Sequence, residues 1–174
     1  MPSSDQLRDL LEAAVEGDDV AMAELVRRTQ ADVWRLCTAL GSTGEIEDLV
    51  QETYLRAIRA APAFRGEAPV RAWLLSIARN VCADHVRRRQ RQRRLVDRLT
   101  SSVRDRVEPE DLSTHGLLAD LDPDRREAFV LTQVLGCSYE EAAVIMGCPV
   151  GTIRSRVARA RADLLGAVRR SEAR

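Results

Sequence analysis

The chain has 174 residues, enough for one ordinary domain or two small ones; 45% are apolar but only 3% aromatic, a balance that favours an aliphatic helical core, since strands draw on aromatic and β-branched residues. Its 27 basic residues, all arginine, match 27 acidic ones, so net charge alone argues against a nucleic-acid binder. The distribution argues the other way: residues 1–60 carry six arginines against twelve acids, 61–98 ten against three, 99–127 four against eight and 128–174 seven against four, which leaves two basic blocks as candidate phosphate-binding surfaces.

From the N-terminus, Leu7, Leu10, Leu11, Ala14 and Val15 recur at helical spacing up to Gly17. Asp18 or Asp19 then caps a longer helix carrying Met22, Leu25, Val26, Thr29, Val33, Leu36, Cys37 and Leu40, ended by Gly41. After Ser42-Thr43-Gly44 a third helix turns Ile46, Leu49, Val50, Thr53, Tyr54 and Ala57 inward and Asp48, Gln51, Glu52, Leu55 and Arg59 outward. An exposed leucine among acids and an amide has the rim-and-anchor layout of a protein interface; a stray surface leucine is equally ordinary. Pro62 to Pro69 is too rich in Pro and Gly to be regular.

A fourth helix is predicted from about Val70 to Gln90, with Leu74, Ile77, Ala78, Val81 and a boundary His85 facing the core. Its opposite arc holds Ser76, Arg79, Asn80, Ala83, Arg87 and Gln90, polar donors mixed with small residues, as a groove or strand reader needs. Six of the eight residues from Arg87 to Arg94 are arginine. Such a block is either a solvated helix end or, below a donor-lined face, a phosphate contact.

Residues 95–116 lose the helical rhythm and gather Asp105, Glu108, Pro109, Glu110 and Asp111, the composition of an acidic linker. Helical pattern returns at Leu117, Leu118 and Leu121. Asp122-Pro123 supplies a cap and a proline at the first helical position, and Ala128, Leu131, Val134 and Leu135 carry that helix to Gly136.

Ser138 and Glu141 then form an S-x-x-E capping box, Tyr139, Ala142, Ala143 and Met146 repeat on one face, and Gly147 ends the helix, with Pro149 suited to the first turn of the next. On a wheel of about 100° per residue, Ile153, Val157, Ala160 and Leu164 share one arc and Gly151, Arg154, Ser155, Ala158 and Arg159 the opposite one, flanked by Arg156 and Arg161. Small residues let a backbone approach a major groove, and arginine forks read guanine O6 and N7. This is the pattern of a helix-turn-helix that touches DNA bases, with Arg156 and Arg161 as phosphate clamps.

The fold expected is all-α: two small helical domains, residues 1–94 and 117–174, joined by a flexible acidic linker, 95–116. No apolar run approaches the ~20 residues that span a bilayer, and the start Met1-Pro2-Ser3-Ser4-Asp5 lacks a signal peptide's regions, so a cytoplasmic protein is expected. Cys37, Cys82, Cys137 and Cys148 form no C-x-x-C pair and read as small buried thiols. Cys82 and His85 share a helix face, but two ligands do not make a metal site. No cofactor or metal is expected.

In this order the segments resemble a bacterial sigma factor of the extracytoplasmic-function (ECF) type. Asp48-Leu49-Val50-Gln51-Glu52-Thr53-Tyr54-Leu55-Arg56-Ala57 is similar to that family's core-polymerase-binding segment. Phe64-Arg65-Gly66 with Trp73-Leu74 through Ile77-Ala78-Arg79-Asn80 matches its promoter-melting segment, and Gly151-Thr152-Ile153-Arg154-Ser155-Arg156 with Arg159-Ala160-Arg161 its final helix. The resemblance covers nearly the whole chain. It implies that Asp48, Gln51, Glu52 and Leu55 dock on the clamp helices of the polymerase largest subunit, with the flap region as a further contact. It implies too that the loop from Phe64 to Val70 captures a base flipped from the minus-ten element, and that Phe64, Arg65, Arg79, Asn80, Arg87 and Arg88 serve that element. Arg154, Ser155, Arg156, Ala158, Arg159 and Arg161 would serve the minus-thirty-five element as duplex. An anti-sigma partner is a further implication, and the acidic linker would thread the RNA exit path. Glu67-Ala68-Pro69-Val70 is more compact than in many relatives, which leaves the identity of the flipped base open, and Cys148 stands where a serine cap is often found.

A stand-alone helix-turn-helix regulator explains the C-terminal segment equally well but not the N-terminal half, and no coiled coil or dimer helix is evident. A thiol or metal sensor built on Cys82, His85, Cys137 and Cys148 is a different class. An enzyme is not expected, since no nucleophile-base pair, phosphate loop or paired-ligand motif is present.

Overall fold

The computed structural model describes residues 4–41, 44–99, 118 and 120–172. These residues form helices α1 (Ser4–Val15), α2 (Asp19–Leu40), α3 (Ile46–Ala60), α4 (Val70–Leu99), α5 (Pro123–Phe129), α6 (Tyr139–Met146) and α7 (Val150–Glu172). A short 3₁₀ turn, Ala61–Ala63, follows α3, and a π-helical turn, Val130–Val134, continues α5. No strand occurs among the described residues. The linker expected at 95–116 lies largely outside them.

Local chemistry sets most boundaries. Asp18 caps α2, its Oδ1 accepting from the backbone N–H of Val20 at 2.8 Å and of Ala21 at 3.0 Å. Gly41 ends that helix in extended backbone, φ −80° and ψ −177°. Glycine is required there by crowding: a Cβ would meet the Cys37 carbonyl oxygen at 2.5 Å and Leu49 Cδ1 at 2.6 Å. The capping box of α6 is complete, with Glu141 N–H donating to Ser138 Oγ at 3.0 Å and Ser138 N–H to Glu141 Oε2 at 2.8 Å. Gly147 closes α6 in the left-handed region, φ 62°.

Three boundaries differ from expectation. α4 continues past Gln90 to Leu99, through and beyond the arginine block, because arginine and glutamine are good helix formers and no glycine or proline interrupts the run. The helix after Asp122-Pro123 loosens at Val130, where Leu135 N–H bonds to the Val130 carbonyl at 2.9 Å, five residues back. Pro149 stands just before α7, its carbonyl accepting from Thr152 N–H at 2.8 Å. It thus caps the helix and does not occupy its first turn.

In the N-terminal domain, Val33, Leu36 and Cys37 of α2 pack with Leu49, Val50 and Ala57 of α3 and Leu74, Leu75, Ala78, Val81 and Cys82 of α4. A smaller cluster, Leu7, Leu11, Leu25, Ala61 and Val70, with Phe64 and Trp73 against it, ties α1 to the loop before α4. Buried Thr29 and Thr53 return their hydroxyls to the carbonyls of Leu25 and Leu49, each at 2.7 Å. In the C-terminal domain Ile153, Val157 and Ala160 of α7 pack with Ala142, Ala143, Ile145 and Met146 of α6 and with Ala128, Val130 and Leu131.

The two domains pack against each other, and their cores join in one contiguous cluster. Arg71 of α4 links them: its Nε donates to Asp32 Oδ2 at 2.7 Å, its Nη2 to the Leu135 carbonyl at 2.6 Å and its Nη1 to Cys137 Sγ at 3.4 Å. Arg79, two turns on, pairs with Glu127 of α5.

Candidate functional site

The outward face of α3 presents Asp48 and Gln51 to solvent, with Leu55 42% exposed. Glu52 is half-buried and held: it accepts from Arg56 Nε at 2.7 Å, and Arg56 Nη1 reaches Asp84 Oδ2 of α4 at 2.9 Å. That guanidinium keeps the Asp84 carboxyl below the usual carboxylate range. Sequence reasoning missed Ile58, three residues after Leu55 and 44% exposed. An apolar residue outside the inward arc was the available signal.

Phe64 packs its ring 4.9 Å from that of Trp73, tilted by 45°. Behind it the loop opens a cavity of about 230 Å³, lined by Phe64, Gly66, Glu67, Ala68, Pro69 and Val70 together with Asp5 and Arg8 of α1. Arg65 is exposed. The contribution of α1 was not foreseen, since nothing local connects Arg8 to a loop so distant in the chain.

On α4, Asn80, Arg87 and Arg88 are exposed. Arg87 Nη1 lies 3.5 Å from Asp84, Arg89 Nη1 3.5 Å from Glu45, and His85 Nε2 2.8 Å from the same Glu45 Oε2. Arg79, foreseen on this outward face, is half-buried and turned into the domain contact with Glu127, itself buried. Burial pushes the Glu127 carboxyl above its ordinary range, although Arg79 works in the opposite direction.

On α7, Arg154, Ser155, Ala158 and Arg159 lie together on the exposed face opposite Ile153, Val157 and Ala160. Ser155 Oγ donates to the Thr152 carbonyl at 2.9 Å, and the space a Cβ would take at Gly151 is open. The two flanking arginines are engaged within the domain: Arg156 pairs with Asp124 at the start of α5, and Arg161 Nη2 donates to Gln133 Oε1 at 2.6 Å. Among the described residues no group of three or more potential metal ligands assembles. Cys37, Cys82 and Cys137 are buried free thiols and Cys148 is half-buried.

A capped helix-turn-helix with an arginine-bearing outer face, carried beside a second helical domain, defines a DNA-binding protein of transcription. Residues 25–92 match the Sigma-70 region 2 family model and residues 112–164 the Sigma-70, region 4 model. The ECF RNA polymerase sigma factor SigC of Mycobacterium tuberculosis is 47% identical over 88% of this chain and 86% of its own length. The ECF RNA polymerase sigma-E factor of Escherichia coli K12 is 35% identical over 91% and 93%. Among solved structures, CnrH in complex with the cytosolic domain of CnrY aligns with a TM-score of 0.73 at 30% identity, covering 95% of this chain and 97% of CnrH. The sigma factor RpoE of Bartonella quintana, in complex with the anti-sigma factor NepR, aligns with 0.73 at 31%, covering 85% and 96%. The chain belongs to the ECF RNA polymerase sigma factors of the sigma-70 family, which act in transcription initiation.

Proposed function

We propose that this chain binds RNA polymerase core and directs it to promoters by reading the minus-thirty-five element as duplex and capturing the unstacked minus-ten strand. The exposed Arg154, Ser155, Ala158 and Arg159 face carries the reading: its backbone approach is open and its donors are uncommitted to neighbouring helices. Arg156 and Arg161 serve as braces that fix α7 on α5 and the π turn, and reach phosphate from there. In the N-terminal domain, ending with α4, Asp48, Gln51, Glu52 and Leu55 form the docking face for the clamp helices, with Ile58 extending its apolar part. Phe64 and Arg65 take the flipped base, and Asn80, Arg87 and Arg88 hold the adjoining strand. The residues between α4 and α5 join the domains along the RNA exit path.

Arg79 reads bases only after the domains separate, because its guanidinium is committed to Glu127. The isolated chain then binds promoter weakly, and core polymerase, by holding the domains apart, raises affinity and specificity. The same docking faces suit an anti-sigma protein, a kind of partner with which RpoE of Bartonella quintana is solved in complex. Run-off transcription with purified core polymerase on a promoter library tests the reading. The expected result is initiation confined to a promoter subset that shares both elements, and the absence of a stable assembly with core overturns it.

A further inference from the structure

We propose that Arg8 of α1 is a specificity-determining residue of the cavity behind Phe64, selecting a base that presents two adjacent acceptors beside an N–H group, cytosine or guanine, over adenine or thymine. The inference rests on the reading of the Phe64–Val70 loop as the site that captures an unstacked base.

The geometry carries it. The Arg8 guanidinium lies flat against the loop: a Cβ at Gly66 would stand 2.6 Å from Nη2, 2.9 Å from Cζ and 3.0 Å from Nη1, and Gly66 itself has a φ of +71°. The left-handed backbone favours glycine, and the missing side chain leaves room for the guanidinium to approach. One turn further along α1, Glu12 Oε1 accepts from Arg8 Nε at 3.0 Å. That bond orients the fork and leaves the four N–H groups on Nη1 and Nη2 as its reading end. The Phe64 ring, braced on Trp73, offers a stacking face in the same cavity.

Charge decides between a base and a phosphate. The lining holds one guanidinium but two carboxylates, Asp5 and Glu67, so a phosphate meets net repulsion, whereas a neutral ring edge with both acceptors and donors is matched. A guanidinium fork takes two neighbouring acceptors. Cytosine offers N3 and O2 beside its amino group, and guanine offers N7 and O6 beside N1–H. Adenine and thymine present no two adjacent acceptors. The carboxylates accept from the flanking N–H, as Asp and Glu do from cytosine N4.

The test uses holoenzyme assembled from the full chain and core polymerase. Promoters carry each of the four bases, or 2-aminopurine, at each non-template position of the minus-ten element, and open-complex formation is measured for the unsubstituted chain, Arg8→Ala and Arg8→Lys. 2-Aminopurine fluorescence locates the unstacked position. There, the unsubstituted chain is expected to prefer cytosine or guanine by about tenfold, and Arg8→Ala to reduce that preference to about twofold. Arg8→Lys restores charge but not the planar fork, and therefore not the preference. Thermal melting confirms that both variants fold. Brightening at one position with base preference unchanged in Arg8→Ala overturns the role of Arg8 alone. Absence of brightening at every position overturns the capture reading and this inference with it.

Discussion

Arg159 and Leu55 illustrate how one side chain's surroundings define its test. Arg159 is exposed on α7, one residue before buried Ala160. Its Ala substitution removes donors without opening a cavity, and is expected to cost about 1–3 kcal/mol at a single upstream base pair. Gel-shift titrations of holoenzyme against promoters mutated one base pair at a time read this out; a uniform loss across all of them contradicts base reading. Leu55→Asp places a charge on an exposed apolar position of the proposed docking face, so the fold is expected to survive with an unchanged thermal midpoint while binding to core falls at least tenfold. Undiminished core binding by Leu55→Asp removes the docking assignment. Both residues were legible in the sequence because helical periodicity separates inward from outward positions. Arg79 was legible only as an outward arginine. Its partner, Glu127, belongs to another domain, and no periodicity within α4 announces a side chain in α5.

At the scale of elements, what was legible is what is local. The capping box of α6, the left-handed Gly147 and the Ile153, Val157, Ala160 arc each depend on residues within a turn or two. The burial of Ala72 and Leu75 beyond the expected arc of α4 depends on other helices closing around it, and so was missed. The length of α4 was underestimated for a related reason: the apolar rhythm ends near His85, but helix formation there needs only good formers and no breaker. The consequence is that the arginine block lies on continuous helix, as a basic ridge. Arg88, exposed on that ridge, is expected to meet phosphate irrespective of sequence. Arg88→Ala should weaken all promoters alike and flatten the slope of log affinity against log salt by about one. A loss confined to some promoters, with the slope intact, assigns Arg88 to base reading instead.

For the molecule as a whole, the contact between domains includes a buried carboxyl, Glu127. Its carboxyl is buried, and desolvation outweighs the help of Arg79, with Asp124 adding repulsion and Arg156 attraction; the net effect raises its affinity for a proton above the ordinary 4.5. A raised acid favours the closed form fully only below its ordinary value, and that contribution is lost as pH rises through the raised one. The Arg79–Glu127 contact is therefore expected to favour the closed form less at neutral than at acid pH. Glu127→Gln is accordingly expected to tighten the closed form and to lower the isolated chain's affinity for a single-stranded minus-ten oligonucleotide. Glu127→Arg sets two guanidiniums face to face and is expected to destabilise the contact by about 3–5 kcal/mol, releasing Arg79. Small-angle scattering is expected to show a larger radius of gyration for Glu127→Arg, and fluorescence anisotropy a tighter complex with the oligonucleotide. If both variants scatter and bind as the unsubstituted chain does, the Arg79–Glu127 contact does not govern access to the minus-ten strand.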